Sequence, residues 1–454
     1  MRTIKSVNPF NEEINWEFEL LDRESIDEKI NIANEAFLEW KNIDVEEKKS
    51  LYLNLANLLE ENYEEIAKLE TLEMWMLYAH SKAWIKKSAN LIRWFVNNFE
   101  EVLNSEDYET EWVNVRTQYD PIGVLFWVAP WNFPFNQVLR AAIPNTLVWN
   151  TVVYKHASNV PMCAAKIEEL FLQAGFPVWI YQNIFVSSSE SEYILSKKEI
   201  KWVNLTWWEV AWVAIWSFAW KYLKPSVLEL GWNDAFIVCD TNDLEWVAKE
   251  AVKARIANNW QKCNSSKRFI VREEQYDDFC NYFTNFTEEL VIWDSFEETT
   301  QIWPMAKSDL CDEIDLQVRK TVLEWAILLT WGHKIDRKGY FYAPTVLKDV
   351  TPDMTSYKEE VFWPVASIIK VKDLDEAIKI ANNSDFGLCG CVYWDDYNQT
   401  LEVASKIETW MVFINNPAWS KASLPFGWVK KSGYWKENWA EWLKAFTNKK
   451  VIVY

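Results

Sequence analysis

Long apolar runs, paired cysteines, clustered histidines and excess positive charge are all missing from this chain. Each absence removes a class of function. The most apolar stretches are broken by proline or charge well short of the ~18 residues of a spanning helix, so no membrane partner is expected. Residues 1–10 hold no apolar signal-peptide core. The seven cysteines (163, 239, 263, 280, 311, 389 and 391) include no CxxC pair. An odd, scattered set argues against a secreted disulfide scaffold, and the cytoplasm is the expected compartment. His80, His156 and His333 form no metal-ligand pattern, so no zinc site is expected. The formal net charge is −20, and without a basic face no nucleic-acid partner is expected. Half of the 454 residues are hydrophobic and a quarter are charged, a globular balance with length for two or three domains.

Glycine is the scarcest of the common residues. There are nine, where average usage of about 7% would give roughly 32. Tryptophan numbers 31, so the two together reach an ordinary total. Trp207-Trp208 follows a strand-like run, Trp331 precedes Gly332, Trp303 and Trp363 precede prolines, and Trp428 follows Gly427. These are turn contexts that want a residue without Cβ, and tryptophan is a poor turn former. A gene in which UGA encodes glycine, translated with UGA as tryptophan, gives this pattern. The alternative, a tryptophan-rich sugar-binding surface, predicts indoles on exposed strand faces instead. Trp40, Trp94, Trp131 and Trp419 sit in apolar or aromatic contexts that suit tryptophan.

The first 100 residues read as mainly helical. One helix starts at a capping-box-like Ser25-Ile26-Asp27-Glu28, and others cover 45–69 and 80–99. Residues 108–119 alternate like a hairpin strand. Strands at 124–129, 151–154, 181–186 and 203–205 then alternate with helices at 134 onward, 162–174, 190–196 and 209–222. This βαβα rhythm implies a doubly wound parallel sheet. A second such region begins at 227–229 and 235–238 and continues through 268–271, 327–330 and 366–370; the last residues form an edge strand.

Three segments carry chemistry. Cys263 ends the polar run Asn258-Asn259-Trp260-Gln261-Lys262. A lone cysteine is usually a small core residue, but a thiol in a polar loop behind a helix suits a nucleophile. Glu229 ends an apolar strand, where burial is costly unless the carboxylate has a partner or a task; the alternative is a strand end facing water. Asn132, in Pro130-Trp131-Asn132-Phe133-Pro134, follows a strand whose C-terminal end is where ligands bind in such sheets. Its amide suits an oxyanion, though the segment also reads as a rigid turn.

With these segments in this order, the chain resembles the aldehyde dehydrogenase superfamily over essentially its whole length. The resemblance rests on the 130–134 segment, Lys155 after an apolar strand, Glu229-Leu230-Gly231-Trp232, Gln261-Lys262-Cys263, Glu360-Val361-Phe362-Trp363-Pro364-Val365 and the stretch 424–434. Trp207, Trp208 and Trp212 fall on the family's glycine turn for the cofactor pyrophosphate. The resemblance implies two doubly wound parallel-sheet domains plus oligomerisation elements. Residues 1–107 and 121–234 would bind the dinucleotide and 235–415 would be catalytic. Residues 108–120 and 445–454 would join a homodimer or homotetramer. It implies oxidation of a small-molecule aldehyde by NAD or NADP, with Cys263 as nucleophile, Asn132 as oxyanion donor and Glu229 as general base. Trp131, Lys155, Ser158, Glu360 and Phe362 would contact the cofactor. Ser158 stands where a glutamate would repel a 2′-phosphate, so NADP is admitted, and Lys155 and His156 nearby would favour it. The stretches 154–157, 304–321 and 416–419 are most similar to bacterial succinate-semialdehyde dehydrogenases; broad aliphatic aldehydes are the alternative substrates. Were the tryptophans literal, the chain would be an inactive relative. Peptides from the native source are expected to carry glycine mass at position 260, and tryptophan mass there would overturn the recoding.

Overall fold

A computed structural model describes residues 2–206, 209–362 and 364–454; the side chains of 209–212, 259 and 260 also lie outside its description. The expectations placed on Trp207, Trp208, Trp212, Trp260 and Trp363 therefore fall outside the described residues.

Two α/β units dominate. The first sheet runs in the order Gly433–Tyr434, Ser226–Glu229, Ile200–Thr206, Val124–Val128, Thr151–Lys155, Tyr181–Asn183. Its strands are parallel except Gly433–Tyr434, which returns antiparallel on Ser226–Glu229. Only glycine fits at 433: its φ is +115°, and a Cβ there would collide with the Leu228 carbonyl oxygen. The inner strands are buried on both faces, which explains their continuous apolar runs.

The second sheet runs Ile327–Thr330, Thr345–Lys348, Val365–Val371, Arg268–Arg272, Ala235–Val238, Cys389–Tyr393, Met411–Ile414. Sequence alone placed 327–330 in a parallel continuation. It is instead an antiparallel edge strand on Thr345–Lys348. The link between the two strands contains no helix, so there is no crossover to make them parallel. A third sheet joins Thr447–Val453, Asn114–Pro121 and Glu106–Glu109.

Three other local readings change. The N-terminus opens with a hairpin, Thr3–Val7 on Ile14–Glu19, ahead of the helices. The first helix is Arg23–Trp40, and its cap is Asp22, whose carboxylate accepts from the Ser25 N–H; Ser25 is not the cap. The stretch 45–69 is two helices, Val45–Glu61 and Tyr63–Met74, broken at Asn62. The Asn62 backbone N–H and its side-chain amide both donate to the Leu58 carbonyl, at 3.0 and 2.8 Å.

The tryptophans divide by geometry. Trp75, Trp149, Trp179, Trp325, Trp331, Trp435 and Trp439 have φ between 55° and 93°. They make up half of the non-glycine residues with left-handed backbone among those described. That region costs an ordinary L-residue roughly 1–2 kcal/mol and costs glycine almost nothing. Trp75 occupies the left-handed position that ends a helix, where glycine is the usual residue. Trp127, Trp202, Trp232 and Trp428 are packed inside with their indole N–H groups unpartnered. Trp40 behaves as a native indole should: it is 2% exposed and donates to the Thr146 carbonyl at 2.8 Å.

Trp325, with φ 82° and 88% of its surface exposed, supplies a test. Trp325→Gly is expected to stabilise the fold by about 1 kcal/mol, and Trp40→Gly to destabilise it by about 3–5 kcal/mol. Thermal midpoints moving the same way for both would contradict this division.

Candidate active site

The loops of interest leave the carboxyl ends of the first sheet. Asn132 follows Val124–Val128, Lys155 ends Thr151–Lys155, and Glu229 ends Ser226–Glu229. Cys263 comes from the loop after the helix Leu244–Ile256 and its short 3-10 continuation. Asn132 joins the two regions: its amide donates to the Gln261 carbonyl at 2.8 Å, two residues before the thiol. Asn258 strengthens the junction, donating to the Asn132 carbonyl at 3.1 Å and the Gln261 carbonyl at 3.3 Å.

Glu229 is fully buried. Burial pushes its carboxyl well above the usual range, and the negative charge of Glu437 pushes it further. Arg140 and the nearby Cys263 thiol act in the other direction. Arg140 Nη2 lies 3.2 Å from Glu229 and 2.5 Å from Glu437. The Cys263 thiol is likewise pushed up, first by burial and then by Glu229; Arg140, Lys262 and Lys267 pull it back toward the thiolate. Lys267 donates to the carbonyls of Cys263 and Ser265 at 2.8 and 3.0 Å and so fixes the loop from below.

A cavity of about 580 Å³ opens beside this loop, lined in part by Trp131, Asn132, Glu360, Phe362 and Trp232. Phe362 lies between two indoles, 6.1 Å from Trp131 and 6.2 Å from Trp232. Glu360 is raised to about 8, chiefly by burial and against the opposing charge of Lys267, whose amine lies 3.9 Å away. A Cβ at Gly231 would sit 2.7 Å from Phe386 and 3.4 Å from Glu360, so the backbone passes closely there.

The structure brings together Asn132, Cys263 and Glu229, and separately Trp131, Glu360 and Phe362. Lys155 and Ser158 lie outside that cavity, at the end of the neighbouring strand, where Lys155 pairs in register with Val128. Burial lowers the Lys155 ammonium to about 8, and among the described residues its amine reaches only the His156 carbonyl, at 3.5 Å. Ser158 is exposed. His156 corrects one expectation. It is buried against the Tyr181 hydroxyl at 2.7 Å and burial lowers it to about 3, so it stays neutral and adds no positive charge near the cofactor. Sequence reasoning passed over Arg140, Glu437 and Lys267. Arg140 did leave a signal: a lone arginine in an otherwise apolar helical stretch needs a buried partner.

The sequence profile of the aldehyde dehydrogenase family matches residues 1–452. The chain belongs to this family. A succinate-semialdehyde dehydrogenase [NADP(+)] of Deinococcus radiodurans is 35% identical over 451 residues, covering 99% of this chain and 94% of the relative. One from Mycobacterium avium is 37% identical, covering 99% and 96%. The crystal structure of a succinic semialdehyde dehydrogenase from Streptococcus pyogenes in complex with NADP+ superposes with TM-score 0.96 at 32% identity, covering 99% of each chain.

For an aldehyde dehydrogenase, the Glu229 and Glu437 pair has a measurable consequence. Glu437→Gln removes a like charge and leaves Arg140 to Glu229 alone. Both changes favour the Glu229 carboxylate, so the acid limb of the pH–rate profile is expected to move to lower pH. A limb that stays in place would show that Glu229 is not the titrating group.

Proposed function

We propose that this chain oxidises succinate semialdehyde to succinate with NADP+. The observation that carries the reading is that the Cys263 thiol and the Glu229 carboxylate are buried near enough to perturb one another, while Arg140, Lys262 and Lys267 bring positive charge to the thiol. Both relatives described above bear that activity in their names across nearly their full length. Glu229 takes the thiol proton or, later, that of a water, and Cys263 as thiolate attacks the aldehyde carbon. The Asn132 amide has a second N–H beyond the one bonded to Gln261. That N–H and the Cys263 backbone N–H hold the oxyanion of the thiohemiacetal. A bound NADP+ would supply the hydride acceptor, and Cys263 would then carry the acyl group as a thioester. Glu229 then activates the water that releases the acid.

The residues present fit such a cofactor. Glu360 has a buried carboxylate oxygen without a hydrogen-bond partner, and Lys155 has a buried amine with a single distant carbonyl. Both suit ribose hydroxyls. Phe362 and Trp131 wall the nicotinamide side, and Ser158 leaves space for a 2′-phosphate.

The same reading assigns glycine to the left-handed tryptophans and to positions 207, 208 and 232 of the active polypeptide. With indoles at 207 and 208 the backbone could not approach a pyrophosphate, so a chain made with literal tryptophan is the inactive alternative. Two copies or four would associate through the Asn114–Pro121 and Thr447–Val453 strands, whose outer edge exposes Val451, Ile452 and Val453. Among the described residues no helix is long and apolar enough to cross a membrane, all seven cysteines are free, and we place the enzyme in the cytoplasm.

The protein expressed with glycine at these positions is expected to form NADPH with kcat/KM for succinate semialdehyde at least about 10-fold above that for propanal, the worth of one charge-assisted contact. It is expected to prefer NADP+ over NAD+. Equal rates with both aldehydes would defeat the substrate assignment, and a strict NAD+ preference the cofactor assignment.

A further inference from the structure

The thiol loop is held by its backbone carbonyls. Asn132 donates to the Gln261 carbonyl at 2.8 Å, and Lys267 donates to those of Cys263 and Ser265 at 2.8 and 3.0 Å. The Gln261 and Cys263 carbonyls belong to the peptide units on either side of the one that carries the Cys263 N–H. The carbonyl of that middle unit, Lys262, accepts from the Ser265 N–H at 3.2 Å. Three successive peptide units are thus pinned around the oxyanion donor, and Lys267 supplies one side of the frame. Lys267 is 2% exposed. Its own backbone is fixed in the second sheet, where its N–H donates to the Asp234 carbonyl at 2.9 Å and its carbonyl accepts from the Ser367 N–H at 3.3 Å.

The same ammonium faces the cofactor segment. An ammonium has three N–H groups. Two go to the loop carbonyls, and the nitrogen also lies 3.9 Å from Glu360 Oε1, an oxygen that is buried without a hydrogen-bond partner. Burial disfavours the charge of Lys267, and the negative charges of Glu360 and Asp234 oppose that effect. Arg255 repeats the link on the other flank of the loop. It lies in the last turn of Leu244–Ile256, the helix that leads to Cys263. Its guanidinium donates to the Val361 carbonyl at 2.9 Å and to the Val365 carbonyl at 2.9 and 2.7 Å. One buried cation before the thiol loop and one after it therefore grip the segment 360–365.

We propose that Lys267 is a positioning residue that couples the cofactor segment to the Cys263 centre, its single ammonium holding both the carbonyls around the thiol and the Glu360 carboxylate. This coupling rests on the cofactor reading of Glu360 above. Charge that Glu360 shares with a ribose hydroxyl is withdrawn from Lys267, which then turns more fully to the thiol loop. Arg255 keeps the backbone around Glu360 in step with the helix that delivers the thiol.

Lys267→Met keeps the length and removes the donors and the charge; Lys267→Arg keeps both; Glu360→Gln removes the anion and keeps the shape. One readout is the rate at which iodoacetamide alkylates Cys263 without cofactor, followed by peptide mass. It is taken above the Glu360 value of about 8, where that carboxyl is ionised. The other readout is the Kd of NADP+ by calorimetry. Lys267→Met is expected to slow alkylation and to weaken NADP+ binding, each by at least about 5-fold, and Lys267→Arg to recover most of both. Glu360→Gln is expected to speed alkylation, and the acceleration to vanish when it is combined with Lys267→Met. Should Lys267→Met not fold, Lys267→Gln takes its place with the same expectations. A loss in only one readout, or an acceleration by Glu360→Gln that persists without Lys267, overturns the coupling while the cofactor reading stands. Wild-type protein that binds neither NADP+ nor NAD+ overturns the cofactor reading, and the coupling with it.

Discussion

Arg140 projects from a helix, Asn136–Leu147, whose every residue is buried. Its guanidinium meets Glu229 at the end of one strand and Glu437 near the C-terminus, and Gln137 at 2.5 Å. A charge taken this far from water is costly unless good geometry repays it, and removing one partner of such a set costs about 3–5 kcal/mol. The backbone around it is built to the same plan. Gly433–Tyr434 pairs with the strand that ends in Glu229, and Phe426–Gly427 pairs with Lys436–Glu437. The Trp442 indole donates to the Arg140 carbonyl at 3.1 Å. One cation therefore ties the C-terminal segment to the first sheet and fixes the carboxylate that faces Cys263.

That arrangement sets a conflict the chemistry can use. Low dielectric favours the neutral thiol and the neutral carboxyl, whereas Arg140, Lys262 and Lys267 favour the thiolate. The resting pair can thus hold its protons, and the three cations lower the cost of the negative charge that forms when the thiol ionises. The same low dielectric makes every fixed cation near the thiol count for more than it would at the surface.

The candidate site residues stood out in the sequence because each broke a local rule. Cys263 stood in a polar loop, Glu229 ended an apolar strand, and Asn132 stood between prolines at a strand end. Arg140 broke a rule too, but its partners lie 89 and 297 positions away, a distance no local pattern spans. The antiparallel edge at Ile327–Thr330 was hidden for a related reason. Period-two apolarity reports a strand and says nothing of its direction, which depends on whether the following link holds a helix. The break at Asn62 escaped because the apolar spacing continues across it.

The tryptophans bring sequence and structure onto one question. A fold of this family places glycine where backbone must turn left-handed or pass close to something else. Backbone geometry is fixed by the surrounding elements, so it reports what a position needs whatever residue is written there. At Trp179, Trp325 and Trp435 the backbone holds φ of 84°, 82° and 93°, and the Trp325 indole is 88% exposed. At Trp232 the indole stands beside Phe362 in the wall of the cavity, with its N–H unpartnered. Trp40, in contrast, has both its burial and its hydrogen bond satisfied. Selection for tryptophan as such would have produced partners for the indoles. Among the described residues, left-handed φ angles and orphaned indole N–H groups gather on this residue type.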